Sequence, residues 1–281
     1  MSTIVAPARA AKIPLPTRIR WALADGFVVT HRNLLQFVRV PTLLVFSVVQ
    51  PIMFVLLFRY VFGGAVGGLP PGIDYVNYLL PGIFVQTAIF GSTQTGIGLA
   101  EDMKSGLLDR FRSLPMSRSG VLAGRTTADL VRNFVVVMLM IAVGYLVGFY
   151  FDNGIVPALA AIALSVAIGF AFSWVSATIG LAIRDVESVQ AASFTWIFPL
   201  TFISSVFVPP ASMPPILQAI ARNNPVTLWA NTVRVLTIGD PALAALPGES
   251  LTSLLLKSTA WIVGILAVFV PLAIRRYRTL T

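Results

Sequence analysis

The chain has 281 residues, of which 57% are hydrophobic and only 11% charged, and its mean hydropathy is +0.86. A soluble domain of this length needs a far more polar surface, so the composition is that of a membrane protein. The net charge of +9 does not point to nucleic acid: the basic residues lie between apolar runs rather than clustered on a soluble surface. The longest polar stretches, about 40 residues, are too short to bury a core of their own. The lack of cysteine excludes disulfides, thiolate chemistry and Cys-based metal sites.

Residues 1–42 read as a cytoplasmic tail and an interfacial helix. About 40 mostly polar or amphipathic residues precede the first long apolar run, too many for the n-region of a cleavable signal peptide. Thr17 follows Pro16 and suits an N-cap, and Trp21, Ala24, Phe27, Val28, Leu35 and Val38 recur at helical spacing, with Arg18, Arg32 and Arg39 on other faces. The pattern predicts an amphipathic helix over Thr17–Val40 lying along the membrane surface and ended by Pro41.

Residues 43–274 read as an all-α transmembrane domain. A hydrocarbon core about 30 Å thick takes roughly 20 apolar residues in a helix. Windows of that length predict six spans, at 43–62, 78–99, 133–151, 156–183, 189–208 and 257–274. The fourth is long enough to tilt or to bend at Gly169. The sixth is short, unless it starts at Leu251 with Lys257 snorkelling outward. Apart from Arg59, Arg222, Arg234 and Lys257, all 20 basic residues fall before span one, between spans two and three, after span four or in the tail 275–281. The positive-inside rule therefore places both termini in the cytoplasm. Arg59, in the outer part of span one, stands out against this pattern.

Between spans two and three, Met103, Leu107, Phe111 and Leu114 fall on one stripe of a short helix stopped by Pro115, with Asp102, Lys104, Asp109, Arg110 and Arg112 on its other faces. Two readings stay open: a helix resting on the headgroups, or one that docks into a groove on a soluble partner. The outer segment Pro209–Ser250 is apolar for a loop. Met213, Ile216, Leu217 and Ile220, then Val226, Trp229, Val233 and Leu236, keep helical spacing. Two short helices dipping into or lying on the outer face are expected, buried against the spans.

No GxxxxGK[ST] phosphate loop is present, and the single histidine, His31, has no ligand-type neighbours at metal-binding spacing. None of the serines has a His/Asp partner set, so no catalytic constellation emerges. The acids Asp25, Glu101, Asp102, Asp109, Asp129, Asp185 and Glu187 fall on cytoplasmic segments or their edges, and Asp74, Asp152, Asp240 and Glu249 outside. With none expected at mid-span, ion coupling is disfavoured and a separate energy source favoured. Within spans, Gln50, Gln86, Gln94, Thr95, Ser193, Thr195, Thr201 and Ser204 could line a pathway or bond helix to helix. Gly144 and Gly148 form GxxxG, read as close packing, and Pro51 and Pro199 permit kinks.

These features together resemble the ABC-2 type permeases, and within them the daunorubicin-resistance group of drug and lipid exporters. The resemblance is carried by YLLPGIFVQ (Tyr78–Gln86), the loop EDMKSGLLDRFRSLPMSRSGVLAGR (Glu101–Arg125) and NNPVTLWANTVRVL (Asn223–Leu236), and covers nearly the whole chain. It implies a transport subunit of the bacterial cytoplasmic membrane, without an ATPase site of its own. Two permease chains, identical or sister, would pair and each dock a cytoplasmic ATPase carrying ATP and magnesium. It also implies an ATPase-coupling helix around Glu101, Asp102, Met103, Leu107, Asp109, Arg110, Phe111 and Leu114. The implied substrate path, lined by spans one, two and five, would include Gln50, Gln86, Thr195 and Thr201. A permease for a lipid-linked polysaccharide is the alternative, and a membrane enzyme or ion-driven carrier a more distant one.

Overall fold

A computed structural model describes residues 15–39, 41–62, 66, 69, 71–107 and 118–279, and every regular element among them is helical. In chain order these are α1 (Leu15–Arg39), α2 (Pro41–Leu56, running into a π-helical turn Leu57–Phe62), α3 (Tyr75–Gly91), α4 (Thr93–Lys104), α5 (Arg118–Leu146), α6 (Ile155–Ile183), α7 (Val186–Phe202), α8 (Pro215–Asn223), α9 (Pro225–Ile238), α10 (Asp240–Ala244) and α11 (Leu251–Thr279). Among the described residues, three helices are long and apolar enough to cross a membrane: Gly120–Leu146, Ile155–Ile183 and Leu251–Thr279.

Helix α6 is the axis of the bundle. It is apolar around its whole circumference, with a mean hydropathy of 2.4, as expected of a helix covered on several sides. Helices α3, α4, α5, α7, α9 and α11 all pack against it. Lipid tails are as apolar as leucine, so close approach of backbones carries much of the packing. Gly180 of α6 and Gly96 of α4 meet backbone to backbone: a Cβ on either would fall inside 3 Å of a main-chain atom of the other helix. Gly169 is used in the same way, against Ala88 and Asn133, within a helix that runs unbroken from Ile155 to Ile183.

Span two is not one helix. The apolar run expected over 78–99 is split at Ser92, which ends α3 and starts α4. Ser92 is fully buried and turns its hydroxyl back to the carbonyl of Ile89 at 2.6 Å, competing with the helical ladder as serine does. Helix α4 then runs to Lys104 and ends before Gly106, whose φ is +69°. Glu101, Asp102 and Met103 therefore lie on the last turn of α4, not on a separate helix. The stripe expected from Met103 to Leu114 is interrupted within its first turn. Leu107 is half-buried, and Asp109, Arg110, Phe111 and Leu114 lie outside the described residues.

Helix α5 closes at Leu146. Gly148, at φ +90°, belongs to the turn after it, so Gly144 and Gly148 do not form a packing face on one helix. Helix α7 is capped by Asp185, whose carboxylate accepts from the Ser188 amide at 2.9 Å. Helix α11 begins at Leu251, the earlier of the two starts for the last span, and Lys257 pairs with Glu249. Helix α1 packs against α5, where Gly26 and Gly124 allow backbone contact and the Thr30 hydroxyl donates to the Gly124 carbonyl at 2.9 Å. Ala24, Phe27, Val28 and Leu35 point outward and are exposed.

The outer segment forms α8, α9 and α10. Helix α9 is almost wholly buried, and Trp229 makes no contact with solvent. Asn224 caps α9 by accepting from the Val226 amide, while its amide nitrogen donates to the carbonyls of Leu200 and Ile203 at 2.7 Å each. One side chain thus starts α9 and satisfies the carbonyls left open as α7 ends.

Candidate functional site

The helix break at Ser92 opens onto a cavity of about 290 Å3 bounded by α1, α2, α3, α4, α5 and α7. Phe54, Phe90 and Phe194 supply apolar walls, Gln50, Gln94 and Gln190 are exposed amides at its rim, and Gln86, Thr87, Thr93 and Arg132 are its buried polar lining. Of the pathway residues expected from sequence, the fold brings Gln50 and Gln86 together here. Thr195 and Thr201 do not join them: each hydroxyl bonds back to its own helix, to Ala191 and Ile197 at 2.8 Å.

Arg132 is the residue sequence reading missed. Counted there as part of a basic loop, it is a helical side chain 4% exposed. Its Nη2 donates to the Gly91 carbonyl, freed where α3 ends, and lies 3.3 Å from Asp129. The guanidinium also sits 5.1 Å from the centre of the Phe37 ring. Asp129 accepts from the Thr95 hydroxyl of α4. Expected on a cytoplasmic segment or its edge, it is 2% exposed and lies ten residues into the membrane-length stretch Gly120–Leu146. The acid is nevertheless paired, as buried charges must be. The spacing of Asp129 and Arg132, three residues apart on a continuing helix, was the available signal.

One α-helical turn and more toward the end of α4, a second ionic group ties the same helices. Asp102 accepts from Arg32 of α1 at 2.9 Å and from Arg125 of α5 at 2.8 Å. Arg125 reaches it across Gly98, whose missing side chain leaves the space that its guanidinium fills. Of the coupling residues expected from sequence, Asp102 is linked to its surroundings by ion pairs, while Glu101 is exposed.

On the other side of the bundle, Arg234 was counted as an outer-loop charge but is 3% exposed. It donates to the Tyr78 carbonyl at 2.7 Å, the Ser205 hydroxyl at 2.9 Å, the Asn231 side chain at 2.8 Å and the Val206 carbonyl at 3.2 Å, and bonds the Ser205 carbonyl. The Tyr78 ring lies 3.7 Å beneath it. Arg59, flagged in span one, sits in the π-helical turn over the Tyr60 ring at 5.3 Å. Among the described residues no group of three His, Cys, Asp or Glu could hold a metal.

The described helices thus form an apolar bundle with a partly polar cavity between them and two ionic groups nearby. The chain belongs to the ABC-2 type transporter family, whose sequence pattern matches residues 26–238, and is thereby an integral membrane protein. It is 34% identical over 259 residues, covering 92% of this chain and 88% of the relative, to the daunorubicin resistance ABC transporter permease protein DrrB1 of Streptomyces coeruleorubidus. It is 29% identical over 280 residues, covering 95% of both chains, to a protein of Mycobacterium tuberculosis named "Probable doxorubicin resistance ABC transporter permease protein DrrC". Two of the three segments that carried the resemblance meet in space: Tyr78 of the first is the platform for Arg234 of the last.

Proposed function

We propose that this chain is the permease subunit of an ATP-driven exporter that moves a hydrophobic or amphiphilic compound, a drug or a lipid, out across the bacterial cytoplasmic membrane. It crosses the membrane six times with both termini in the cytoplasm: α2 and its π turn, α3 with α4, α5, α6, α7 and α11. A separate cytoplasmic subunit binds ATP and magnesium. A second permease chain, identical or sister, completes the pathway.

The observation that carries this reading is the cavity joining Gln50 and Gln86 to the walls Phe54, Phe90 and Phe194. Its mixture of aromatic walls with a few buried polar groups suits an amphiphile. Its volume of about 290 Å3 favours a small molecule over a lipid-linked polysaccharide, which needs a wide polar groove. The relatives' names, which specify resistance to daunorubicin and doxorubicin, support a drug as cargo. The buried Asp129 weakens one sequence argument against ion coupling, but its pairing with Arg132 leaves ATP as the favoured energy source.

The ATPase would dock at the end of α4 and the segment after it, through Glu101, Asp102, Met103, Leu107, Asp109, Arg110, Phe111 and Leu114. The test is co-reconstitution with the ATPase in vesicles. Uptake should need ATP and survive collapse of ion gradients, Gln86→Leu should slow it by tenfold or more, and Arg110→Glu should weaken co-purification. Uptake driven by an ion gradient without ATP would sink the reading, and unchanged binding by Arg110→Glu would sink the docking assignment.

A further inference from the structure

We infer that Arg59 holds the phosphate of an outer-leaflet phospholipid at the seam of α2 and α5; this rests on the proposed six-span topology and is independent of the cavity. Arg59 lies in the π-helical turn that ends the apolar stretch Ser47–Phe62. A guanidinium in such a place loses hydration and needs an anion in return, which is why charged residues inside spans mark functional sites. Its Nη1 is closed off from solvent and meets no acceptor. Among the described residues Arg59 forms no ion pair: Asp102 takes Arg32 and Arg125, Asp129 takes Arg132, and the outer acids Asp74 and Asp152 form none with it. Its contact is the Tyr60 ring, 5.3 Å away, which supplies no anionic oxygen. A buried donor without an acceptor is costly, so the position calls for an anion from outside the chain.

The surroundings say which anion. The guanidinium faces the turn between α5 and α6 at Gly148, whose φ of +90° suits glycine. Nη1 and Nη2 lie 3.5 and 3.7 Å from where a Cβ would stand on Gly148, so no side chain at that position covers them. Around this turn Tyr60, Tyr145 and Tyr150 are exposed, and so are the aliphatic side chains of Leu146, Ile155 and Val156. Exposed tyrosines beside exposed aliphatics are the pattern of the membrane–water interface, where amphipathic rings sit at the level of the headgroups. A phospholipid brings its phosphate to that level and its acyl chains to the aliphatic side chains. A free anion would have the first contact without the second. Arg59 is half-buried, so part of its side chain stays within reach although Nη1 is enclosed. Its charge is delocalised over the whole guanidinium, so a phosphate at the accessible edge neutralises the enclosed nitrogen as well.

The chain has no cysteine, so Tyr145→Cys gives a single attachment point on the same turn. Bimane attached there, on the full chain in detergent, is titrated with a phosphatidylcholine that carries a nitroxide on its headgroup. Quenching should saturate. Arg59→Gln should raise the half-quenching concentration at least tenfold, and Arg59→Lys, which keeps the charge, should raise it less. Dioleoylphosphatidylglycerol should displace the quencher, and dioleoylglycerol, which lacks the phosphate, should not. Unchanged quenching in Arg59→Gln, or displacement by inorganic phosphate at the same concentration, overturns the lipid assignment. A lower melting temperature of Arg59→Gln in lipid-free detergent also overturns it, because the arginine would then be a structural contact. Labelling of Tyr145→Cys with an impermeant maleimide separates this inference from the topology it rests on. Reaction in inside-out but not in right-side-out vesicles sinks the topology, and this inference with it.

Discussion

Arg125 Nη1 lies 2.8 Å from Oδ2 of Asp102, reaching from α5 across the bare backbone of Gly98 to the last turn of α4. Both side chains are 13% exposed, so the pair is largely shielded from solvent. Asp102→Ala leaves Arg125 half-desolvated and uncompensated, at a cost of about 2 kcal/mol. Thermal unfolding in detergent should register that loss, and Gly98→Ala, which blocks the path of Arg125, should match it. If the ends of α1 and α5 move with α4 during transport, Asp102→Ala should also lower uptake per ATP hydrolysed. Unchanged stability in both variants would show the bridge to be idle.

Arg234 holds α9 to α3 and to the turn after α7 with donors fixed in one plane. Arg234→Met abandons several buried carbonyls at once and should destabilise by about 3 kcal/mol or more. Arg234→Lys should recover only part, because one ammonium cannot reach the Tyr78, Ser205, Val206 and Asn231 acceptors together. Full recovery by lysine would mean that charge, rather than the fork, is what matters there.

Gly180 and Gly264 make a matched pair. A methyl group on Gly180 runs into the backbone at Gly96, whereas one on Gly264 meets nothing within 4 Å. Gly180→Ala should cost about 1–3 kcal/mol through forced separation of α4 and α6. Gly264→Ala, on an exposed part of α11, should stay within about 0.5 kcal/mol of neutral. Comparison of the two melting temperatures checks this directly.

Asp185 gives the pH dependence. Hydrogen bonds from Ser188 hold its carboxyl below the usual carboxylate range. A depressed folded pKa contributes stability above the ordinary value of 3.8, which is lost as pH falls through the folded value. The first turn of α7 should therefore fray in acid below about pH 4. Asp185→Asn, which cannot titrate, should remove that dependence. Amide hydrogen exchange at Ser188 and Val189, followed against pH in both proteins, is the measurement.

The helices were legible because apolar runs and helical spacing are local properties. The start of α11 at Leu251 and the two helices α8 and α9 could be read from Pro, Asn and the recurring apolar positions. The site was legible only by halves. Gln50 and Gln86 stood out as amides in apolar runs, but Arg132 and Asp129 were hidden by the positive-inside rule, which counts a charge without asking whether a neighbour three residues away neutralises it. Ser92 looks like any polar residue in an apolar run. That it ends a helix depends on the packing around it, including Asn133 against Gly91, from a segment distant in sequence. Arg234 was hidden likewise, since its acceptors Tyr78, Ser205 and Val206 come from two other parts of the chain.

At Ser92 the run from α3 to α4 is interrupted by a single turn residue, itself at φ −63° and ψ −22°. Helix α4 has 12 residues, hence a length of about 18 Å, with its Lys104 end bound to Asp102's arginines and its other end forming the cavity wall at Thr93 and Gln94. A push at Lys104 that tilts this rod by about 10° displaces one end relative to the other by about 3 Å over that length. Gly96, seated on Gly180, lies close to the cavity end. A tilt about that contact would move the Lys104 end, eight residues away, further than the cavity wall at Thr93, three residues away.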